Sequence, residues 1–135
     1  MKQIILAIIS KMEDEKQKYL LCNSVLDFGQ YTGFFYPPAG TMSSDGKSET
    51  EFLKTKVKLE TGLDIISLKK LNQTPADIPN AICNWWKCDI KDYNLKINNA
   101  CLKKAIWLTA NEIEKADNIW PATKKFFRSL VCARI

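Results

Sequence analysis

Residues 33–63 decide the fold, and they read GFFYPPAGTMSSDGKSETEFLKTKVKLETGL. Ser48 is a suitable N-cap, and Glu51, three residues later, completes the pattern of a capping box. Gly62 is placed to end the helix in the left-handed conformation. The stretch therefore predicts an aromatic segment and a glycine-containing loop, followed by a helix over residues 48–61.

Glycine is concentrated in and just before this stretch. Four of the five glycines lie between residues 24 and 46, and the fifth is Gly62. Because glycine adopts backbone conformations that other residues avoid, the chain is least restricted here. We expect a ligand to approach the main chain most closely in this loop-and-helix unit.

Outside this stretch, several segments have the composition of strands. Residues 4–9 are rich in β-branched side chains and predict a central strand, and residues 18–23 predict its hairpin partner. Further strands are predicted over 64–71, 81–90 and 103–108. Residues 74–80 and 91–100 have the composition of loops.

Two more helices are predicted near the C-terminus. Residues 109–112 read Thr-Ala-Asn-Glu, a second capping box that opens a short helix, and an amphipathic helix follows over 122–132, after Pro121. This order of strands and helices indicates an α+β protein, an α/β/α sandwich in which a mixed β-sheet is flanked by helices. We expect residues 1–135 to form one domain.

The composition excludes several classes of function. The net charge of +5 comes almost entirely from lysine, with Arg128 and Arg134 as the two arginines, so no DNA or RNA groove is indicated. Without histidine, Cys/His zinc sites and histidine catalysis are excluded. The five cysteines have no CxxC spacing and are typical of free thiols in the cytoplasm. The apolar run at residues 4–9 is too short for export or a membrane span.

Position by position, the stretch resembles the signature of the Nudix superfamily. That signature runs Gly, five residues, Glu, seven residues, then Arg-Glu-aliphatic-x-Glu-Glu-x-Gly-aliphatic. The matching positions are Gly40 (with one extra loop residue), Val57, Glu60, Gly62 and Leu63. Upstream, Pro38-Ala39-Gly40 and the aromatic run at 33–36 resemble the turn and strand that precede the signature. Downstream, Ile106-Trp107-Leu108-Thr109 with Glu112-Ile113 resembles a later family segment.

The signature positions that carry the chemistry differ. Lys47, Thr55, Lys56 and Leu59 stand where the signature has glutamate, arginine, glutamate and glutamate. Positions 56, 59 and 60 share one helix face, where three glutamates would hold a divalent cation. Here that face carries one lysine, one leucine and one glutamate. We expect Lys56 and Glu60 to form a surface ion pair worth roughly 0.3 kcal/mol, and Leu59 to pack beneath the loop.

The resemblance implies a pyrophosphohydrolase acting on a nucleoside diphosphate linked to another group, with Mg²⁺ or Mn²⁺ as cofactor. Its implied catalytic residue and metal ligand is Glu60. Glu51 is a second candidate metal ligand, and Asp45, Glu49, Asp89 and Asp92 are further replacements. With most signature carboxylates replaced, weak or no hydrolysis is expected, and a site that uses no metal is the other outcome.

The alternative is a catalytically silent module that binds a nucleotide or a protein partner. The candidate ligand-binding residues are Gly40, Lys56, Tyr36 and Phe34. In one version, the Lys56 ammonium replaces the metal and contacts a ligand phosphate directly. Aromatic side chains can either stack on a base or fill the core, and this choice stays open for Tyr31, Phe34, Tyr36, Trp85, Trp86 and Trp107. A homodimer is one expected assembly.

Overall fold

A computed structural model of the chain describes residues 1–42 and 48–132. The strands are β1 (Lys2–Glu13), β2 (Lys16–Ser24), β3 (Ala39–Met42), β4 (Ile65–Pro75), β5 (Ala81–Ile90) and β6 (Leu102–Thr109). The helices are α1 (Glu49–Thr61), α2 (Ala110–Lys115) and α3 (Pro121–Cys132), with a short 3₁₀ turn at Gly29–Tyr31. Over these ranges, none of the helices combines the length and the apolar character needed to cross a membrane.

The strands of the described residues form one mixed sheet. Its order is β4-β5-β1-β2-β6, and β3 pairs with β1 off this path. β1 runs parallel to β5 and antiparallel to both β2 and β3. Asp14 and Glu15, with φ of 53° and 64°, make the tight turn between β1 and β2. The predicted central strand and its hairpin partner are both confirmed.

Helices cover both faces of the sheet. Successive side chains of β1 point to opposite faces, so each face of β1 packs against a different set of helices. Leu6 and Ile8 belong to a buried cluster on the α2 and α3 side. Ile5, Ala7 and Ile9 belong to a second cluster, on the α1 side. The predicted α/β/α sandwich with a mixed sheet is therefore confirmed.

α1 begins and ends where it was predicted, at Ser48 and Gly62, but the capping hydrogen bonds predicted at its start do not form. Gly62 has φ of 75° and its N–H donates to the carbonyl of Lys58, so it ends the helix as predicted. The predicted capping box at Ser48 is wrong, since the Ser48 side chain makes no capping hydrogen bond. Its hydroxyl lies 2.7 Å from the Thr50 hydroxyl instead. The second capping box is confirmed, because Thr109 and Glu112 bond reciprocally at the start of α2.

Three other expectations need correction. The aromatic run at 33–36 forms isolated bridges rather than a strand. A glycine-containing loop was expected between the aromatic segment and the helix, but part of it forms a strand, β3 (Ala39–Met42). Leu59 does not pack beneath the loop, because 57% of it is exposed on the outer face of α1. The first two errors arise because pairing with neighbouring segments, Tyr36 with Cys22 and β3 with β1, overrides the local pattern.

Candidate functional site

The candidate site lies where β1 and β2 separate. Residues 10–13 of β1 pair with β2, whereas residues 3–6 pair with β3. The segment just before β3 pairs with β2 in turn, since the N–H and carbonyl of Tyr36 exchange hydrogen bonds of 2.9 and 2.8 Å with Cys22. A pocket of about 540 Å³ lies where the two strands separate. Such a volume suits a small-molecule ligand.

One end of this pocket is formed by α1 and β3 together, and we call it the polar end. It contains Gly40, Lys56 and Glu60. A Cβ at Gly40 would lie 2.8 Å from the Phe52 ring and 3.1 Å from Cγ of Lys56. Glycine is therefore the residue that lets β3 approach α1 so closely. Gly40, Tyr36, Lys56 and Glu60, four predicted site residues, all line the pocket.

The ion pair at the polar end is unequal in exposure. Lys56 Nζ lies 3.9 Å from Glu60 Oε2, and the side chains are 37% and 8% exposed. Glu60 is thus a buried carboxyl rather than the surface carboxylate that was expected. Burial raises its pKa above the ordinary value of 4.5, and the Lys56 charge opposes this increase. The arrangement favours a carboxyl that binds a proton more readily than a solvated glutamate does.

The groups beside Glu60 stay uncharged near neutral pH. Burial raises the pKa of the Cys22 thiol well above its usual range, and the charge of Glu60 adds to the increase. Burial likewise raises the pKa of the Tyr36 hydroxyl, with Cys22 and then Glu60 as further causes. Glu60 and Lys56 are therefore the charged pair of this end of the pocket.

Another part of the pocket lining is aromatic, and we call it the aromatic end. Phe28 and Trp120 line it and meet edge to face, with ring centroids 5.6 Å apart. Trp85 is fully buried in the floor and stacks on Phe126 at 4.2 Å. Asp77 also lines the pocket, where its carboxylate accepts a hydrogen bond of 2.9 Å from the N–H of Ala122 at the start of α3.

Sequence reasoning missed Phe28, Trp120 and Asp77 in this end. They come from the segment after β2, the segment before α3 and the loop after β4, so no single motif joins them. Tyr31, an open candidate for stacking, packs on Trp120 with ring centroids 4.5 Å apart. The one signal in the sequence is that these segments contain aromatic residues. Aromatic residues that only pack in the core give the same signal.

The other predicted site residues lie elsewhere. Phe34 lies outside the pocket lining and packs on Tyr31 at 5.4 Å. Glu51 is exposed in the first turn of α1, also outside the lining. Glu49 bonds the Trp86 indole N–H at 3.1 Å, and Asp89 accepts a hydrogen bond from Ser67. Lys47 and Asp45 lie outside the described residues.

The residues of the polar end do not fit a divalent metal. Mg²⁺ and Mn²⁺ prefer several oxygen ligands, mainly carboxylates. On the helix face predicted to hold them, Glu60 is the one carboxylate, and the Lys56 ammonium stands 3.9 Å from it. Across residues 1–42 and 48–132, no group of three Asp, Glu, Cys or His side chains could hold a metal ion.

Comparisons with known proteins agree with this geometry at the level of the fold. No family model matches the chain, and no curated protein sequence matches it. The MutT protein from Methanosarcina mazei Go1 matches with a TM-score of 0.81 and 18% identity, over 98% of this chain and 94% of that one. The NUDIX domain of Shewanella oneidensis NrtR, complexed with ADP ribose, matches with 0.79 and 11%, over 98% and 88%.

A third solved structure has the same fold in another setting. The C-terminal domain of mouse MUTYH, in a complex with human PCNA, matches with a TM-score of 0.75 and 19% identity, over 99% of this chain and 90% of that one. At these identities a structural match shows the fold alone. Near-complete coverage and a pocket beside the signature helix lead to one conclusion: the chain has the Nudix hydrolase fold.

Proposed function

We propose that this protein binds a nucleotide-type small molecule in the pocket between β1, β2 and α1, and that it hydrolyses the molecule weakly or not at all. The observation that carries the proposal is the shape and chemistry of one 540 Å³ pocket. Its polar end has a lysine paired with a buried carboxyl, and its aromatic end has Phe28 and Trp120. A nucleotide has matching parts, a phosphate and a flat base.

The polar end supports phosphate binding without a metal. Lys56 lines the pocket and is 37% exposed, so its ammonium is accessible to a ligand oxygen. Lysine binds phosphate as a compact point charge. In this proposal Lys56 binds the ligand phosphate. Gly40 lets the main chain of β3 approach the ligand closely, and Tyr36 forms the pocket wall between these two residues.

The aromatic end supports binding of a base. Phe28 is 40% exposed and its ring meets Trp120 edge to face, which leaves an aromatic surface at the opening. Stacking of a base on an aromatic side chain contributes about 1–3 kcal/mol. The ADP ribose held by the NUDIX domain of NrtR is a nucleotide-type ligand on a chain of the same fold.

The charges at the polar end argue against efficient metal-dependent hydrolysis. A metal would neutralise phosphate charge and activate water, but a lone carboxylate seldom holds Mg²⁺ well. The Lys56 ammonium would repel a divalent ion at 4 Å by about 8 kcal/mol at an effective dielectric constant of ~20. Glu60, the implied catalytic residue, is therefore proposed as the partner of Lys56 rather than as a metal ligand.

A binding titration tests this proposal. We expect AMP, ADP or ADP-ribose to bind with similar affinity in EDTA and in Mg²⁺, and little product to form in either. Phe28→Ala should weaken binding about 5- to 150-fold, because a stacking surface is lost. Phe34→Ala is the matched control, since Phe34 lies outside the pocket, and it should bind as the unaltered protein does.

Two outcomes would contradict the proposal. Rapid Mg²⁺-dependent turnover that disappears in Glu60→Gln would show that the polar end still supports hydrolysis. If none of these nucleotides binds, the alternative of a protein-interaction module is favoured. The exposed apolar side chains of Val25 and Leu26 at the pocket rim fit that alternative, as does the PCNA complex of the MUTYH domain.

A further inference from the structure

We propose that Asp77 determines ligand specificity, and that it selects a nucleotide whose base carries an exocyclic amino group. The inference rests on the proposed function in one respect, because it requires a nucleotide whose base enters the aromatic end. It adds a chemical requirement on that base, a hydrogen-bond donor at its edge, and it names the side chain that recognises the donor.

The start of α3 orients the Asp77 carboxylate. Its Oδ2 accepts a hydrogen bond of 2.9 Å from the N–H of Ala122. Ala122 is the second residue of α3, and the first N–H groups of a helix have no partner inside the helix. The bond satisfies one of these groups, and the partial positive charge at a helix start stabilises a carboxylate. The side chain is therefore held in position before a ligand binds.

The carboxylate lies beside the aromatic end of the pocket. Asp77, Ala122 and Trp120 all line the pocket, and Ala122 follows Trp120 by two residues. Cys83 of β5 also lines it. Burial raises the pKa of the Cys83 thiol, and the charge of Asp77 adds to this increase. Asp77 is thus close to both the aromatic end and the floor of the pocket.

The chemistry of a carboxylate decides which ligand group can bind here. A carboxylate accepts hydrogen bonds and donates none, and its two oxygens together have about four acceptor sites. The Ala122 N–H uses one of these sites, so the group can also accept a hydrogen bond from a ligand. Asp77 is exposed, and a ligand can therefore reach it. The ligand group that pairs with Asp77 must be a donor.

The base is the part of a nucleotide that meets this requirement beside Trp120. A phosphate is an anion, and a carboxylate repels it. The ribose has hydroxyl donors, but the surface next to Asp77 is the aromatic one on which a flat base stacks. A stacked base presents its edge to the groups around it. Exocyclic amino groups are donors at the edges of adenine, guanine and cytosine.

The selection comes mainly from rejecting bases that lack the donor. A base that covers the carboxylate removes water from the side that it faces. An amino group replaces this water with a charge-assisted hydrogen bond. A C–H group leaves the carboxylate without a partner on that side, and a carbonyl oxygen brings two acceptors together. Sites built to pair with a polar group reject analogues without it for this reason.

Calorimetric titration of the full chain with matched pairs of ligands tests the selection. Purine riboside 5′-monophosphate is AMP without its 6-amino group, and IMP is GMP without its 2-amino group. In at least one pair we expect the ligand with the amino group to bind about tenfold more tightly. This value is the lower limit for a hydrogen bond to a charged group, because water partly replaces the donor at an exposed residue. The comparison requires no variant, so poor folding of a substituted protein does not affect it.

Asp77→Asn assigns the preference to this side chain. The amide oxygen can still accept the Ala122 N–H, while the amide nitrogen offers a donor in place of an acceptor. We expect the preference for the amino group to disappear. Asp117→Asn is the matched control, because it removes the same charge from the segment before α3 and Asp117 lies outside the pocket lining. It should keep the full preference.

The outcomes separate the inference from the proposed function. Equal affinity within both ligand pairs, or tighter binding of the ligands without the amino group, would overturn the selection and leave nucleotide binding intact. A preference that stays undiminished in Asp77→Asn would overturn the role of Asp77. If Asp77 only caps α3, its substitution lowers the affinity for both ligands of a pair equally. A complete lack of nucleotide binding would overturn this inference and the proposed function together.

Discussion

The two ends of the pocket are built in different ways. The polar end comes from one continuous stretch, β3 and α1, and its residues Gly40, Lys56 and Glu60 all lie in the part of the sequence that resembles the Nudix signature. The aromatic end is assembled from separate segments that carry Phe28, Trp85 and Trp120. Local sequence therefore specifies the first end, and only the complete fold brings the second together.

The two ends also differ in whether the residues that line the pocket are needed for the stability of the fold. At the polar end, Gly40 lets β3 approach α1 closely, while Lys56 stands where the Nudix signature that this stretch resembles has a carboxylate. At the aromatic end, the same side chains that line the pocket also form the core, as Trp85 on Phe126 shows. Lys56 can thus be replaced with little effect on stability, and Trp85 cannot.

The largest expected effect comes from Trp85→Ala. Trp85 is fully buried, stacks on Phe126 at 4.2 Å and donates its indole N–H to Thr74 Oγ1 at 2.8 Å. Removing it should lower the free energy of unfolding by about 3–5 kcal/mol. Urea unfolding followed by circular dichroism measures the change.

Lys56→Ala is the matched variant at the polar end, and its cost should stay within about 1 kcal/mol because Lys56 is partly exposed. If the two substitutions destabilise the protein equally, the polar end is as much a part of the core as the aromatic end. The contrast between the two ends would then be lost.

A smaller effect is expected for Gly40→Ala. The new Cβ would lie 2.8 Å from Cζ of Phe52, so the ring or β3 must move, at a cost of about 1–3 kcal/mol. The same substitution in a Phe52→Ala background should cost less, because the clashing ring is absent. Thermal unfolding of the four proteins in this cycle measures the coupling. Additive costs would show that Gly40 matters for a reason other than the ring.

Much of the fold could be predicted because its signals are local. The strand at 81–90 and the helix stop at Gly62 were predicted at the observed positions, and the reciprocal bonds of Thr109 and Glu112 follow from one four-residue pattern. The failed cap at Ser48 has an equally local cause, since its hydroxyl pairs with Thr50. Such competition between two short-range partners is not visible in a sequence.

Part of the pocket lining could be predicted for the same reason. The signature spacing pointed to Gly40, Lys56 and Glu60, and all three line the pocket. The burial of Glu60 could not be predicted, because it depends on the elements that pack around α1 rather than on α1 alone. Trp120 depends on how α3 packs against the sheet, and this packing is fixed by contacts between distant residues.

The smallest expected effect is the dependence of stability on pH at the polar end. Burial holds the pKa of Glu60 above 4.5, its ordinary value, so the folded protein binds this proton more tightly than the unfolded chain does. The contribution of Glu60 to stability is therefore complete below about pH 4.5 and is lost as pH rises through the folded pKa, with a slope of at most about 1.4 kcal/mol per pH unit. Glu60→Gln keeps the shape and cannot titrate, so its advantage over the unaltered protein should grow across this range and then level off. Denaturant unfolding in steps from about pH 4 to 8 measures the difference, and an advantage that shrinks as pH rises would mean that Lys56 stabilises the ionised carboxylate more than burial opposes it.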